Sequence, residues 1–317
     1  MGHLGKQHLQ HLQRIPDVDC VGFYDTDPVR SKEVLTASGA HAFSSLGDLI
    51  EACEAVSIVV PTCDHYSVAE VCLQSGKHVF LEKPMCETVE EADRLIDLAK
   101  QKSALIQVGH IERLNPALLA LKGVPIRPKY IETHRLASYT TRGTDVPVVL
   151  DLMIHDLDVI LSLVRSPVKS VRASGVSIMT KSVDVANARI RFQNGCVANI
   201  TSSRIAKTSV RKLRIFQQDL YVTIDFLLGL TEVYRILDAH EKYPNAVVTA
   251  PLDQNSMHRQ IVYEKPEVPK VNALKIELEN FVDSVRGNSQ PIVTGNEGRE
   301  ALWIATLVQE QIEQDIH

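Results

Sequence analysis

The chain has 317 residues, 44% of them apolar, and a formal net charge of -5. At roughly 100–200 residues per domain, that length allows two domains with a substantial core. The acidic balance argues against nucleic acid as a partner, and no apolar run approaches the ~20 residues of a membrane span. Six scattered cysteines without a Cys-x-x-Cys point to reduced thiols in a cytosol rather than to a disulfide or zinc framework.

The first third alternates two periods. "LGKQHLQHLQRI" spaces Leu4, His8, Leu9, Leu12 and Ile15 as a helix does, and "VDCVGFYD" reads as a buried strand ending in an acid. "DPVRSKEVLTASGA" predicts a helix closed by Gly39, "AVSIVVPT" a strand, "YSVAEVCLQSGK" a helix and "HVFLEKP" a strand. "TVEEADRLIDLAKQK" predicts a helix opened by a Thr88/Glu91 capping box, and "ALIQVGH" the next strand. Strand and helix in strict alternation predict a parallel, doubly wound sheet over residues 1–108. Residues 109–317 read differently. Asn194-Gly195 stands between two alternating runs, a strong hairpin signal, with Ala186, Ala188, Ile190 and Phe192 on one face. "VRKLRIFQQDLYVTIDF" adds strands, and "NALKIELENFVDSVRG" and "EGREALWIATLVQEQIEQ" are helices. This is an α+β domain with a largely antiparallel open sheet. Residues 240–270 read as a long loop.

The opening "MGHLGKQHL" places Gly2 and Gly5 where the second and third glycines of G-x-G-x-x-G would stand, ahead of a helix. Asp25 ends the next strand at about the distance that fingerprint requires, about 20 residues on. A dinucleotide loop is therefore expected around Gly2, His3, Leu4 and Gly5. Its pyrophosphate would sit at the helix N-terminus and its adenosine ribose hydroxyls on Asp25, which repels a 2′-phosphate and favours NAD over NADP. The first strand and first glycine of this loop are missing from the sequence and are expected upstream of Met1.

Three further stretches, "VVPTCDHYSVAEVCLQSGKHVFLEKPM", "VGHIERLNP" and "LDLMIHDLD", together resemble the Gfo/Idh/MocA family of sugar and cyclitol oxidoreductases along essentially the whole chain. "GHIERLNPAL", "HRLASYTTRGTDVPVVLDLMIHD" and "SSRIAKTSVRKLRIF" look most like its branch that oxidises C3 of UDP-N-acetylglucosamine-type sugars. The resemblance implies an NAD-dependent dehydrogenase, cytoplasmic, acting on a nucleotide sugar and assembled as a homodimer or homotetramer. A free-sugar or inositol dehydrogenase of the family, or a non-catalytic sugar-responsive regulator on this fold, are the alternatives.

Oxidation of a secondary alcohol requires a hydride acceptor and removal of the hydroxyl proton. Lys83 follows a strand's C-terminal end, where open α/β sheets place ligands, and the resemblance puts it on the reacting hydroxyl. Glu82 is expected to position that strand end, with Pro84 fixing the turn. Asp151 and His155, four apart, would share a helical face, with His155 as general base and Asp151 orienting it or the substrate. Such a pair can also bind zinc, but no clear third ligand accompanies it and no metal is expected. Asp156 reads as a capping or salt-bridging residue, and Asp158 is given no role. Pro61, Thr62 and His65 are expected along the nicotinamide ribose, and Arg113 resembles an arginine that reaches the cofactor. The cluster Arg204, Lys207, Arg211, Lys212 and Arg214 suits a diphosphate, chiefly through Arg204 and Lys207, or else is a solvated rim or a subunit contact. Arg142 marks a second candidate substrate loop.

Overall fold

A computed structural model describes residues 1–139, 146–254 and 257–316. In chain order the elements are α1 (His3–Leu12), α2 (Pro28–Ser38), α3 (Leu46–Ala52), β1 (Ala55–Ile58), α4 (Thr62–Gln74), β2 (His78–Glu82), α5 (Val89–Gln101) and β3 (Ile106–Gly109). A 3-10 turn (Ile111–Leu114), α6 (Pro116–Leu119), β4 (Tyr130–Leu136), a π-helical turn (Val149–Met153) and α7 (Ile154–Val164) follow. Eight strands come next: β5 (Val168–Val176), β6 (Val185–Phe192), β7 (Val197–Ser203), β8 (Val210–Gln217), β9 (Leu220–Asp225), β10 (Leu230–Asp238), β11 (Val248–Gln254) and β12 (Met257–Glu264). Helices α8 (Ala273–Val285) and α9 (Gly295–Ile316) close the chain.

Two compact units result. The first comprises Met1–Ile111 with Asn272–Leu302, and the second Glu112–Val271 with the residues from Trp303 onward. Residues 272–302, grouped with the second domain on sequence, thus pack with the first. Leu274, Leu278 and Phe281 of α8 join Phe80 and Ile15 in one buried cluster, with Phe80 and Phe281 edge to face at 5.7 Å. Each such side chain contributes about 1.5–3 kcal/mol by leaving water, which is why α8 belongs there.

In the first unit β1, β2 and β3 form a parallel sheet in that order. The helix ends follow local chemistry. Asp27 caps α2, accepting from the Val29 and Arg30 amides, and Gly39 ends it in the left-handed region at φ 67. The Thr88/Glu91 capping box is present on α5. The stretch 18–25, expected as a strand, is extended but meets its neighbour at a single parallel bridge, Phe23 with Ala42. Gly22 explains the irregularity: it sits at φ 147, and the His41 carbonyl oxygen occupies the place a Cβ would take.

The second unit is built on a nine-stranded sheet, ordered β11-β12-β10-β9-β8-β4-β7-β6-β5. Only the β4–β7 pair is parallel, so the expected, largely antiparallel sheet is present. Ala186, Ala188, Ile190 and Phe192 are buried on one face, as their alternation predicts. The 240–270 stretch is not a loop: β11 and β12 pair as an antiparallel hairpin. Pro251 concealed it, yet β11 is the sheet's edge strand, where a missing N–H breaks no ladder. No helix among the described residues is long and apolar enough to cross a membrane.

The turn between β5 and β6 is organised by Asp184. Its carboxylate accepts from the amides of Ile178, Met179 and Thr180 at 2.8, 2.6 and 3.0 Å and from the Thr180 hydroxyl at 2.7 Å. Desolvation pushes this carboxyl up, but the backbone and hydroxyl donors outweigh it and hold it at about 2. A carboxyl depressed in the folded state stabilises above its ordinary titration range, and that stability is lost as pH falls toward 2. Asp184→Asn should therefore lower the melting temperature at neutral pH and flatten the stability loss between pH 4 and 2, read by thermal melts across that range. An unchanged acid limb would show that Asp184 is not its source.

Candidate active site

In the first unit, α1 differs from the other long helices. Gly2 is its N-cap, no side chain caps it, and its first turn holds no acid. A side chain at Gly2 would meet nothing within 4 Å, so there is room beside this end of the helix. His3 is exposed there, while Leu4 turns inward onto the core cluster. Gly5 is buried, and a Cβ on it would stand 3.3 Å from the Met1 sulfur. Asp25 lies at the same end, its carboxylate against the Met1 amine and accepting from the Asp27 amide at 2.8 Å. An uncapped helix N-terminus beside a carboxylate suits a dinucleotide, phosphates on the amides and ribose hydroxyls on Asp25.

At the exit of β2, Lys83 is half-buried and joined to Pro84 by a cis peptide bond. The Lys83 amide donates to Glu82 Oε2 at 3.3 Å. Gly109, at the end of β3, makes room for this carboxylate: a Cβ there would stand 2.9 Å from Glu82 Oε1. Pro61 is the N-cap of α4, which starts at Thr62 rather than near Tyr66, and both residues stand at the helix mouth. His65 differs from expectation. It is 1% exposed, with Nδ1 2.8 Å from the Pro84 carbonyl and Nε2 3.0 Å from the Val60 carbonyl. Its ring nitrogens thus tie α4 to the cis-proline turn instead of facing outward to a ribose. Burial pushes the neighbouring Cys86 thiol up to about 12, which leaves it without nucleophilic character at neutral pH.

In the second unit, Asp151 lies in the π-helical turn and His155 in the first turn of α7, both half-buried. The extra residue per turn makes their relation different from the plain i,i+4 helical pair expected; such turns recur at functional sites. Behind them lies a buried ionic network. Arg135 of β4 donates through Nε and Nη2 to Asp156 at 2.9 and 3.0 Å, and through Nη1 to Glu112 at 2.9 Å. Burial works against the charged guanidinium, but Asp156 and Glu112 outweigh it and hold Arg135 above its ordinary value. Burial raises the Asp156 carboxyl, with Arg135 pulling the other way. Arg113 donates bidentately to buried Asp158 at 2.8 and 2.7 Å. That pair directs the guanidinium of the expected cofactor arginine onto α7.

The basic cluster is not a bare cationic patch. Lys212 lies 3.4 Å from Asp225, Arg214 2.8 Å from Glu132 and Arg211 3.7 Å from Glu112. Arg204 is 6% exposed, its guanidinium donating to the Val146 carbonyl. Only alternate members of β8 share a face, and acids on β4, on β9 and in the 3-10 turn answer them. Lys207 is exposed in the turn before β8. Arg142 lies outside the described residues. No group of three or more His, Cys, Asp or Glu among the described residues is placed to hold a metal.

Sequence reasoning gave no role to Arg135, Glu112 or Gly109, although all three lie in the stretches that carry the resemblance, because their partners are distant in the chain. The salt-bridging alternative for Asp156 is the one the structure shows, and Asp158 is likewise paired, because a carboxylate on an apolar helix is buried only with a partner.

Compared with known proteins, the chain matches the oxidoreductase family Gfo/Idh/MocA, NAD-binding Rossmann fold, over residues 1–110, and the GFO/IDH/MocA C-terminal domain over residues 127–219. It is 35% identical over 314 residues to UDP-N-acetylglucosamine 3-dehydrogenase of Acidithiobacillus ferrooxidans, covering 99% of this chain and 95% of that one. A solved structure of that enzyme superposes with a TM-score of 0.89 at 34% identity, over 100% of this chain and 96% of the other. Myo-inositol 2-dehydrogenase of Thermotoga maritima is 24% identical, covering 99% and 95%.

Removing one member of the buried network leaves charges without compensation. Arg135→Met should destabilise by about 3–5 kcal/mol in urea unfolding. A loss below about 1 kcal/mol, the range of an exposed pair, would show that Glu112 and Asp156 find water instead.

Proposed function

The chain belongs to the Gfo/Idh/MocA oxidoreductase family, and from that membership we propose that it oxidises the C3 hydroxyl of a UDP-linked N-acetylhexosamine, UDP-N-acetylglucosamine first, with NAD. The observation that carries this reading is 35% identity with the A. ferrooxidans enzyme over nearly the whole of both chains, against 24% with the inositol enzyme. Residues 1–108 serve the dinucleotide, and 109–317 bind substrate and assemble, with 272–302 completing the core of the former.

NAD, when bound, supplies the hydride acceptor. Everything else falls to side chains. The Lys83 ammonium donates to the reacting oxygen and stabilises the alkoxide as the hydroxyl proton leaves. His155 takes that proton, and Asp151 holds the imidazole or a neighbouring sugar hydroxyl. Asp25, Gly2, His3, Leu4 and Gly5 hold the adenosine half; Pro61, Thr62, Glu82 and Arg113 support the nicotinamide half, and His65 contributes by fixing the cis-proline turn. Lys207 and Arg142 meet the diphosphate. Arg204 donates to the Val146 carbonyl and so ties the strand exit of β7 to the residues before the π-helical turn. Binding energy on the diphosphate is remote from C3 and orients the sugar. The assay is NADH formation with UDP-sugars, free sugars and inositols, with a keto-acid trap added. UDP-N-acetylglucosamine should be oxidised and free N-acetylglucosamine hardly at all. Oxidation of myo-inositol or free glucose with none of the nucleotide sugar would overturn the substrate while leaving the family.

The enzyme is also proposed to be a cytoplasmic homodimer or homotetramer, in keeping with its unpaired cysteines. Tyr130, Phe216, Tyr221, Tyr234 and Tyr263 are register partners across five strands and form one half-exposed aromatic row. Such a row on one sheet face suits a second copy. Light scattering should give a dimer or tetramer, and Tyr221→Glu with Tyr234→Glu a monomer; a monomeric wild type would contradict this assembly.

A further inference from the structure

His8 is 2% exposed, an imidazole on the inner face of α1 with no place in the chemistry described so far. Nδ1 lies 2.8 Å from the Ser57 hydroxyl of β1, and Nε2 lies 3.2 Å from Glu82 Oε1 at the end of β2. The ring stands edge to face on Phe80 at 5.4 Å, so its plane is fixed by packing. With the Ser57 hydroxyl donating to Nδ1, the proton resides on Nε2 and faces the carboxylate. Nε2 stands close to the carboxylate without the alignment of a hydrogen bond.

Glu82 is therefore bounded on three sides: His8 at Oε1, the Lys83 amide at Oε2, and Gly109, where a side chain would collide with the carboxylate. The groups come from α1, β2 and β3, the helix whose N-terminus suits the dinucleotide and the strands that deliver Lys83. A carboxylate held this way fixes the backbone of the residue that follows it.

We propose that His8 is a positioning residue: through Glu82 it fixes the β2 exit relative to α1, and so aims the Lys83 ammonium. This rests on Lys83 acting on the reacting hydroxyl. A histidine kept only to fill space would need neither polar contact and would tolerate loss of either.

Two near-isosteres separate the contacts. In His8→Gln the amide nitrogen reaches toward the Nε2 position and retains the Glu82 contact; in His8→Asn it reaches only the Nδ1 position and keeps Ser57. His8→Asn should lower kcat by about tenfold or more, since small misplacements of a reacting group cost up to about 10²-fold, with NAD affinity by calorimetry within about threefold of wild type. His8→Gln should keep at least about a third of kcat, and Gly109→Ala, which pushes on the same carboxylate from β3, should resemble His8→Asn. A second readout needs neither substrate nor NAD. The Lys83 ammonium, observed by NMR after 13C-methylation and assigned with Lys83→Met, should move its titration midpoint by about half a unit or more in His8→Asn and not in His8→Gln. Equal losses in both His8 variants, or a lowered melting temperature with kcat and the Lys83 titration unchanged, would overturn the proposal. If instead Lys83→Met itself keeps its turnover, the reading of Lys83 falls, while the titration still reports whether His8 sets its environment. Should His8→Asn fail to fold, His8→Phe fills the same space without either polar contact and is expected to give the same Lys83 shift; no shift would count against the proposal.

Discussion

The second unit depends on one buried guanidinium. Arg135 sits on a strand inside the sheet, 3% exposed, and its donors reach Asp156 on α7 and Glu112 in the 3-10 turn. Burying one arginine and two acids is costly unless all are paired, so the three elements can pack in one arrangement only. Asp156 follows His155 directly, and Arg113 grips Asp158 two residues on. The helix that presents the imidazole is thereby held along its first turn by charge. Its apolar residues, Ile154, Leu157 and Ile160, pack beneath it. Hydrophobic burial places α7 against the sheet; the ion pairs select its register.

The first unit reaches its precision differently. Its sheet is parallel and its helices begin with a side-chain cap or an acid in the first turn, except α1, whose bare N-terminus beside Asp25 is the feature a dinucleotide can use. Lys83, proposed for the reacting hydroxyl, follows a strand exit shaped by a cis proline, by His65 bridging two carbonyls, and by a carboxylate packed against glycine. None of these groups meets solvent freely.

Much of this was legible in the sequence, because periodicity and punctuation are local. The capping box on α5, the Asp27 and Gly39 ends of α2, and the Asn194-Gly195 hairpin announce themselves within a few residues. The alternation of β6 revealed its buried face. The glycine pair and Asp25 carried a spacing, and the stretch around Lys83 carried a resemblance. What stayed hidden is non-local. Arg135 reads as one charge in an alternating strand until Asp156, 21 residues away, arrives beside it. The basic cluster looked like a phosphate site because two of its acids, Glu112 and Glu132, lie far off in the chain, and Asp225 meets Lys212 only once β8 and β9 pair. Pro251 hid a strand because an edge position is a property of the whole sheet. The π-helical turn at Asp151 breaks a period that sequence reading takes as regular.

At the centre of this account stands removal of hydrogen from one carbon of a nucleotide sugar. The direct measurement uses UDP-N-acetylglucosamine carrying deuterium at C3, incubated with NAD and the protein, with the reduced cofactor analysed by mass spectrometry. The account predicts deuterium in the nicotinamide ring and a slower first turnover than with the unlabelled sugar. Reduced cofactor free of deuterium, with the label retained in the sugar product, would contradict it.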